Sequence, residues 1–170
     1  MKRLPFGQVL DQLDILRALA EFEPTVIGTP PLGIDIESSD IDIACTAKDL
    51  NRFKSDVTKR FGHESVFCTE DLQRFTDPAV RIAFWTSNWE IELFCQAIPI
   101  REQWGVRHFL IEKRLLELRP SLRDKVIDLK RSGLKTEPAF AALLKLEGDP
   151  YEAMLKLEIL SDEELGALAV

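Results

Sequence analysis

The sequence predicts an α+β protein. A small mixed β-sheet with flanking helices is expected over residues 1–98 and a purely helical part over residues 99–170. Three observations predict this. Apolar and polar residues alternate at 41–45, 79–85 and 89–95, the period of half-buried strands. Helical periodicity is interleaved with these runs, at 7–22 and again after Thr46. Beyond Pro99 the alternation stops, and only helix patterns, caps and breakers remain. No flexible linker separates the halves, so the helical part is expected to pack on the core as a single compact unit.

The elements follow in order. Leu10, Leu13, Leu16 and Leu19, widened by Ile15 and Ala20, predict one helix over 7–22 that stops at Glu23-Pro24. Thr25-Val26-Ile27 reads as a short strand ending in Gly28-Thr29-Pro30-Pro31. In the strand 41–45, Ile41 and Ile43 face one way and Asp40 and Asp42 the other. Thr46 with Asp49 suggests a capping box for a helix to about Arg60, closed by Phe61-Gly62. A third strand is expected near 64–68. Ser87-Asn88 suits the turn of a hairpin between 79–85 and 89–95. Helices are then expected at 102–118, 122–131, around Pro138, after Asp149-Pro150, and from the Ser161–Glu164 capping box.

Composition narrows the function classes. A length of 170 residues holds one domain with a real core, or a small α/β domain with a helical extension. The net charge of −7 argues against a broad nucleic-acid partner, because such affinity rests on clustered Lys and Arg. The basic stretches 52–59 and 123–135 are interleaved with acids or apolar residues and read as solvated helix faces. The start Met1-Lys2-Arg3 is basic but is not followed by an apolar run, so no signal peptide is expected. No stretch has the length of a membrane span. Cys45, Cys68 and Cys95 form no CxxC pair and read as reduced thiols of a cytoplasmic protein. His63 and His108 lie too far apart in sequence to suggest zinc.

The chemistry concentrates between residues 28 and 42. Asp40 and Asp42 place two carboxylates on one strand face, roughly 7 Å apart at Cα. Like charges so close repel unless compensated, and a hard divalent cation such as Mg²⁺ or Mn²⁺ compensates them. A two-metal site needs a third carboxylate from a later strand. Glu92, between Ile91 and Leu93, is the candidate, with Glu90 the fallback. Gly28 ends a strand with no side chain to obstruct a phosphate. Thr29 adds a hydroxyl and an N–H, and a helix beginning near Pro30 would point its N-terminus there.

The run from Gly28-Thr29 through Gly33 to Ser39-Asp40-Ile41-Asp42 resembles the signature of the DNA polymerase β-like nucleotidyltransferase superfamily. Gly28, Gly33, Ser39, Asp40 and Asp42 stand at matching spacing. The resemblance is strongest to the minimal nucleotidyltransferases and antibiotic-modifying enzymes. Over nearly its whole length the chain also resembles a bacterial family known as a domain of unknown function, DUF4269. That likeness is carried by Gly28-Thr29, Ser39-Asp40-Ile41-Asp42-Ile43, Glu92-Leu93-Phe94-Cys95-Gln96, Arg107-His108 and Lys135-Thr136-Glu137-Pro138-Ala139-Phe140. The superfamily resemblance implies that Asp40, Asp42 and Glu92 are catalytic metal ligands, with Gly28, Thr29 and Ser39 on the phosphate side. Arg107 is a further candidate for a phosphate contact, and His108 a fallback base or nucleotide contact. Two departures stand out: Thr29 replaces the usual serine, and Pro30-Pro31 removes two N–H donors where the phosphate-side helix would begin.

The expectation is a Mg²⁺-dependent transfer of an NMP from an NTP, ATP in the first instance, to a small-molecule or protein acceptor. The alternative is a catalytically decayed nucleotide-binding or regulatory module, as in a toxin–antitoxin-like pair. A transferase acting on tRNA ends is a third reading, and the acidic charge counts against it. Trp85, Trp89 and Trp104 are expected in the core, and Lys130 and Lys135 on the surface.

Overall fold

Five runs of mainly extended residues pair into one mixed sheet in a computed structural model that describes residues 3–73 and 77–169. Met1 and Lys2 of the basic start lie outside the described residues. The strands are β1 (Thr25–Ile27), β2 (Ile41–Thr46), β3 (Ser65–Leu72), β4 (Ala79–Thr86) and β5 (Trp89–Gln96), in the order β1-β2-β5-β4-β3. β2 and β5 run parallel, and every other neighbouring pair is antiparallel. A parallel neighbour needs a long crossover, which α3 (Leu50–Phe61) and the β3–β4 pair supply. The α+β expectation therefore holds.

The chain divides into two compact units: Met1–Pro30 with Ser39–Gln103, and Pro31–Ser38 with Trp104–Val170. In the first, strand alternation gathers Ile41, Ile43 and Cys45 with Val80, Ile82 and Phe84 and with Ile91, Leu93 and Cys95. α1 (Phe6–Leu13), α2 (Ile15–Ala18) and α3 add Val9, Leu10, Ile15, Phe53, Val57 and Phe61 to the same core. Phe61 stacks on Phe84 at 5.5 Å, and Phe22 meets Phe53 edge-on at 5.1 Å. Each such side chain contributes about 1.5–3 kcal/mol when fully buried. A one-residue slip would turn Asp42 and Glu92 into this core, so the apolar face fixes the register of the acidic one.

Several local expectations are corrected. The helix expected over 7–22 breaks at Asp14, whose φ of 50° is left-handed, and ends in a 3-10 turn at Ala20–Phe22. Leu16 consequently leaves the apolar stripe and is exposed. Asp49 alone caps α3, accepting from the N–H groups of Asn51 and Arg52, both at 3.0 Å. Thr46 ends β2 instead, its hydroxyl donating to the Ile98 carbonyl at 2.8 Å. β3 runs longer than expected. It is an edge strand with a register shift between Ser65 and Cys68, and its mostly exposed side chains hide the alternation. The Ser87-Asn88 turn has positive φ at both residues, 50° and 62°, as a two-residue hairpin requires.

The second unit contains α4 (Trp104–Leu118), α5 (Leu122–Arg131), α6 (Thr136–Leu143), α7 (Pro150–Leu155) and α8 (Asp162–Ala167). Asp149 caps α7 with Pro150 in its first turn, and Ser161 and Glu164 form the expected capping box of α8. Its core includes Ile111, Leu115, Val126, Phe140, Met154 and Leu165, together with Leu32 and Ile34 from segment 31–38. α5 binds that segment through Arg123 to the Leu32 carbonyl and Lys130 Nζ to the Ile34 carbonyl at 3.0 Å. Lys130 is therefore buried, against the surface position expected for it. Among the described residues, no helix is long and apolar enough to cross a membrane.

Candidate active site

Strand register brings the acidic residues together. Asp42 of β2 lies directly opposite Glu92 of β5, and Asp40 enters the same strand two residues earlier. One carboxylate oxygen from each of Asp40, Asp42 and Glu92 lies within 4.8 Å of the other two, and all three residues are half-buried. Carboxylates at this spacing repel one another, and a cation among them would relieve that repulsion.

Gly28 closes the site from β1. Its φ is +76°, and an added Cβ would overlap Asp42 Oδ2 outright and stand 3.2 Å from Asp42 Cγ. Thr29 and Ser39 are both buried, and their hydroxyls lie 3.1 Å apart across the base of the loop that joins β1 to β2. Arg3 donates to the Ser39 carbonyl, and its guanidinium lies 3.6 Å from the centre of the Trp89 ring. A short helix does begin at Pro30, but it is a single 3-10 turn, Pro30–Leu32, and not the start of an α-helix.

Arg81 of β4 occupies the same sheet face. Its Nε donates to Glu92 Oε2 at 2.5 Å and its Nη2 to Glu90 Oε1 at 3.2 Å. Partial burial opposes its charge. The bond to Glu92 and the charges of Glu92 and Glu90 outweigh that and hold its pKa above the ordinary value. Sequence reasoning missed this residue. A signal was there: a two-residue turn at Ser87-Asn88 pairs Arg81 with Phe94, which sets it diagonally beside Glu92.

The remaining candidates lie in the helical unit. Arg107 is paired with Glu158, at 2.9 Å from Nε and 2.5 Å from Nη2. This bond draws the Glu158 carboxyl below its ordinary range and the Arg107 guanidinium above its own. His108 is buried, its Nε2 2.9 Å from the Tyr151 carbonyl and its Nδ1 3.7 Å from Glu137. That is the environment of a structural histidine. Lys135 sits at the N-cap position of α6 and is exposed. Of the three tryptophans only Trp89 joins a core; Trp85 and Trp104 are exposed. Burial pushes the Cys95 thiol up to about 12 and raises Cys45 further, which makes both poor nucleophiles.

Comparisons with known proteins bear on the family and the fold. The family profile described as "Domain of unknown function (DUF4269)" matches residues 8–157. No curated protein matches the chain. Among solved structures, the Cid1 poly(U) polymerase is similar with a TM-score of 0.58 and 15% identity, over 84% of this chain and 48% of that one. Cid1 with Mg 3′-dATP bound gives a TM-score of 0.55 and 16% identity, over 88% of this chain and 47% of that one. A cytoplasmic RNA terminal U-transferase gives 0.51 and 16%, over 84% of this chain and 40% of that one. The chain thus spans about half the length, or less, of these neighbours, and the fold it shares with them is nucleotidyltransferase-like.

Proposed function

This chain belongs to the DUF4269 family, and we propose that it is a metal-dependent nucleotidyltransferase that moves an NMP from an NTP to an acceptor hydroxyl or amine. One observation carries the reading: Asp40, Asp42 and Glu92 converge within 4.8 Å beside a glycine at which only a hydrogen fits against Asp42. An all-oxygen donor set of this kind suits Mg²⁺ or Mn²⁺. Asp40, Asp42 and Glu92 would hold the metal. When bound, it would stabilise charge on the attacking and leaving oxygens of an in-line displacement.

The chain's own residues have separate tasks in this reading. Gly28 leaves room for a phosphate to approach the end of β1. Thr29 contributes its backbone N–H, while its hydroxyl, held near that of Ser39, keeps the loop base in place. Glu90 or Glu92 accepts the proton of the acceptor as its oxygen or nitrogen attacks the α-phosphorus. The bond to the β-phosphate oxygen breaks, and pyrophosphate leaves. Arg107 enters this reading only if Glu158 releases it, and His108 stays structural. Cid1 structures hold a UTP analogue, MgATP and MgGTP, which supports an NTP as the donor. ATP is the first to test. The net charge of −7 favours a small-molecule or protein acceptor over a polynucleotide.

A second reading, a nucleotide-binding or regulatory module without catalysis, has two observations of its own. Arg81 is bonded to the third carboxylate, and no α-helix starts at Pro30. Thermal melting with ATP, CTP, GTP and UTP, each with and without Mg²⁺ or Mn²⁺, provides the test. A nucleotide at a hundred times its Kd raises stability by about 2.7 kcal/mol. For a protein of this size that is roughly 5–10 °C in Tm. Asp42→Asn is expected to remove the metal-dependent part of the shift with the fold intact. No metal-dependent shift with any nucleotide would sink the enzyme reading. A shift without pyrophosphate release in the presence of candidate acceptors would favour the module.

A further inference from the structure

Arg81 is the residue of the acidic face to which metal-dependent chemistry gives no task. It is only partly exposed, and its guanidinium is shared between two carboxylates two residues apart on one face of β5, Glu92 at 2.5 Å and Glu90 at 3.2 Å. Glu92 is also the third member of the converging carboxylates, whereas Glu90 is not. A carboxylate oxygen in a short charge-assisted bond to arginine has less electron density to offer a cation. A divalent ion next to a guanidinium also meets like-charge repulsion. The two cations therefore compete for Glu92, and Glu90 stands where it can keep the one displaced.

We propose that Arg81 is an internal counter-ion that holds Glu92 in the metal-free centre, yields it when a divalent cation enters, and is then retained by Glu90. This inference rests on the metal-dependent reading above. It assigns Glu90 a task distinct from ligation: it lowers the cost of moving Arg81. It also gives the carboxylates of this sheet face a cation of the chain's own, since Arg81 bonds two of the four directly. Metal affinity is thereby set below what Asp40, Asp42 and Glu92 would give alone.

The test is Mn²⁺ binding, followed by the electron paramagnetic resonance of the unbound ion, in wild type, Arg81→Gln, Glu90→Gln and Asp42→Asn. Melting of each metal-free protein at low ionic strength accompanies it. A hydrogen bond to a charged group is worth enough to predict about a tenfold tighter Mn²⁺ affinity for Arg81→Gln. Metal-free Arg81→Gln melts lower than wild type, and Mn²⁺ restores it. Glu90→Gln binds Mn²⁺ more weakly than wild type, because Arg81 then keeps Glu92. If wild type binds Mn²⁺ and Arg81→Gln binds no tighter, the proposal is overturned while the metal site stands. If neither protein binds Mn²⁺, the metal-dependent reading fails and takes this inference with it. Should Arg81→Gln not fold, Glu90→Gln decides: weaker binding than wild type supports the competition, and equal binding overturns it.

Discussion

Replacing Gly28 with alanine tests the geometry of the site without touching a charge. Two costs are expected. Gly28 has a φ of +76°, and an L-residue held there pays about 1–2 kcal/mol. The new methyl would also overlap Asp42 Oδ2 and crowd Asp42 Cγ at 3.2 Å, so Asp42 must leave its rotamer or β1 must shift. Overpacking of this kind costs roughly 1–3 kcal/mol. Together these lower Tm by roughly 4–20 °C for a protein of this size, and Mn²⁺ binding is lost because Asp42 is turned away. A double-mutant cycle separates the terms. In an Asp42→Ala background Oδ2 and Cγ are gone and only the Cβ contact at 3.3 Å remains, so the penalty of Gly28→Ala shrinks toward the backbone part. Urea unfolding of the four proteins gives the coupling energy. A value under about 0.5 kcal/mol would mean that Gly28 serves only the backbone. A Gly28→Ala protein with wild-type stability and Mn²⁺ affinity would refute the close approach altogether.

Two further predictions concern stability. Glu112 is only 4% exposed in the helical unit. Burial, reinforced by the charge of Glu137 and opposed by that of Lys130, raises its carboxyl pKa well above the ordinary value. The folded state therefore holds this proton more tightly than the unfolded chain. Its contribution is fully present below the ordinary carboxyl pKa and is lost as pH rises through the raised one. Glu112→Gln should flatten that decline, so its urea midpoint gains on wild type from about pH 5 toward pH 8; parallel profiles would refute the buried-carboxyl account. In the β4–β5 turn, the pair Ser87→Asn with Asn88→Gly supplies the residues that tolerate two positive φ angles. It should raise stability by about 0.5–1 kcal/mol, read as a higher Tm; a lower Tm would count against the turn geometry.

Much of the fold was legible because it is written in local rules. Alternation located β2, β4 and β5 to within a residue or two, and the Ser87-Asn88 turn followed from the positive φ its position requires. Asp149 and Ser161 marked helix starts through their side-chain acceptors. The break at Asp14 was not legible, because the apolar spacing of 7–22 runs through it and an aspartate in the left-handed region leaves no strong pattern. β3 was only partly legible, since an edge strand with most of its side chains in solvent has little alternation to show.

The sequence by itself determined which residues are candidates for the proposed chemistry: Gly28-Thr29, the Asp40–Asp42 pair on one strand face, and an acid between Ile91 and Leu93. These follow from strand period and residue type alone. Tertiary structure decided what the residues do to one another. Pairing β2 parallel to β5 put Asp42 opposite Glu92, a choice made by the apolar face of the whole sheet. The helical unit took Leu32 and Ile34 into its own core. Such contacts join residues far apart in the chain. Their energies come from burial and charge in the assembled fold, and no local period encodes them.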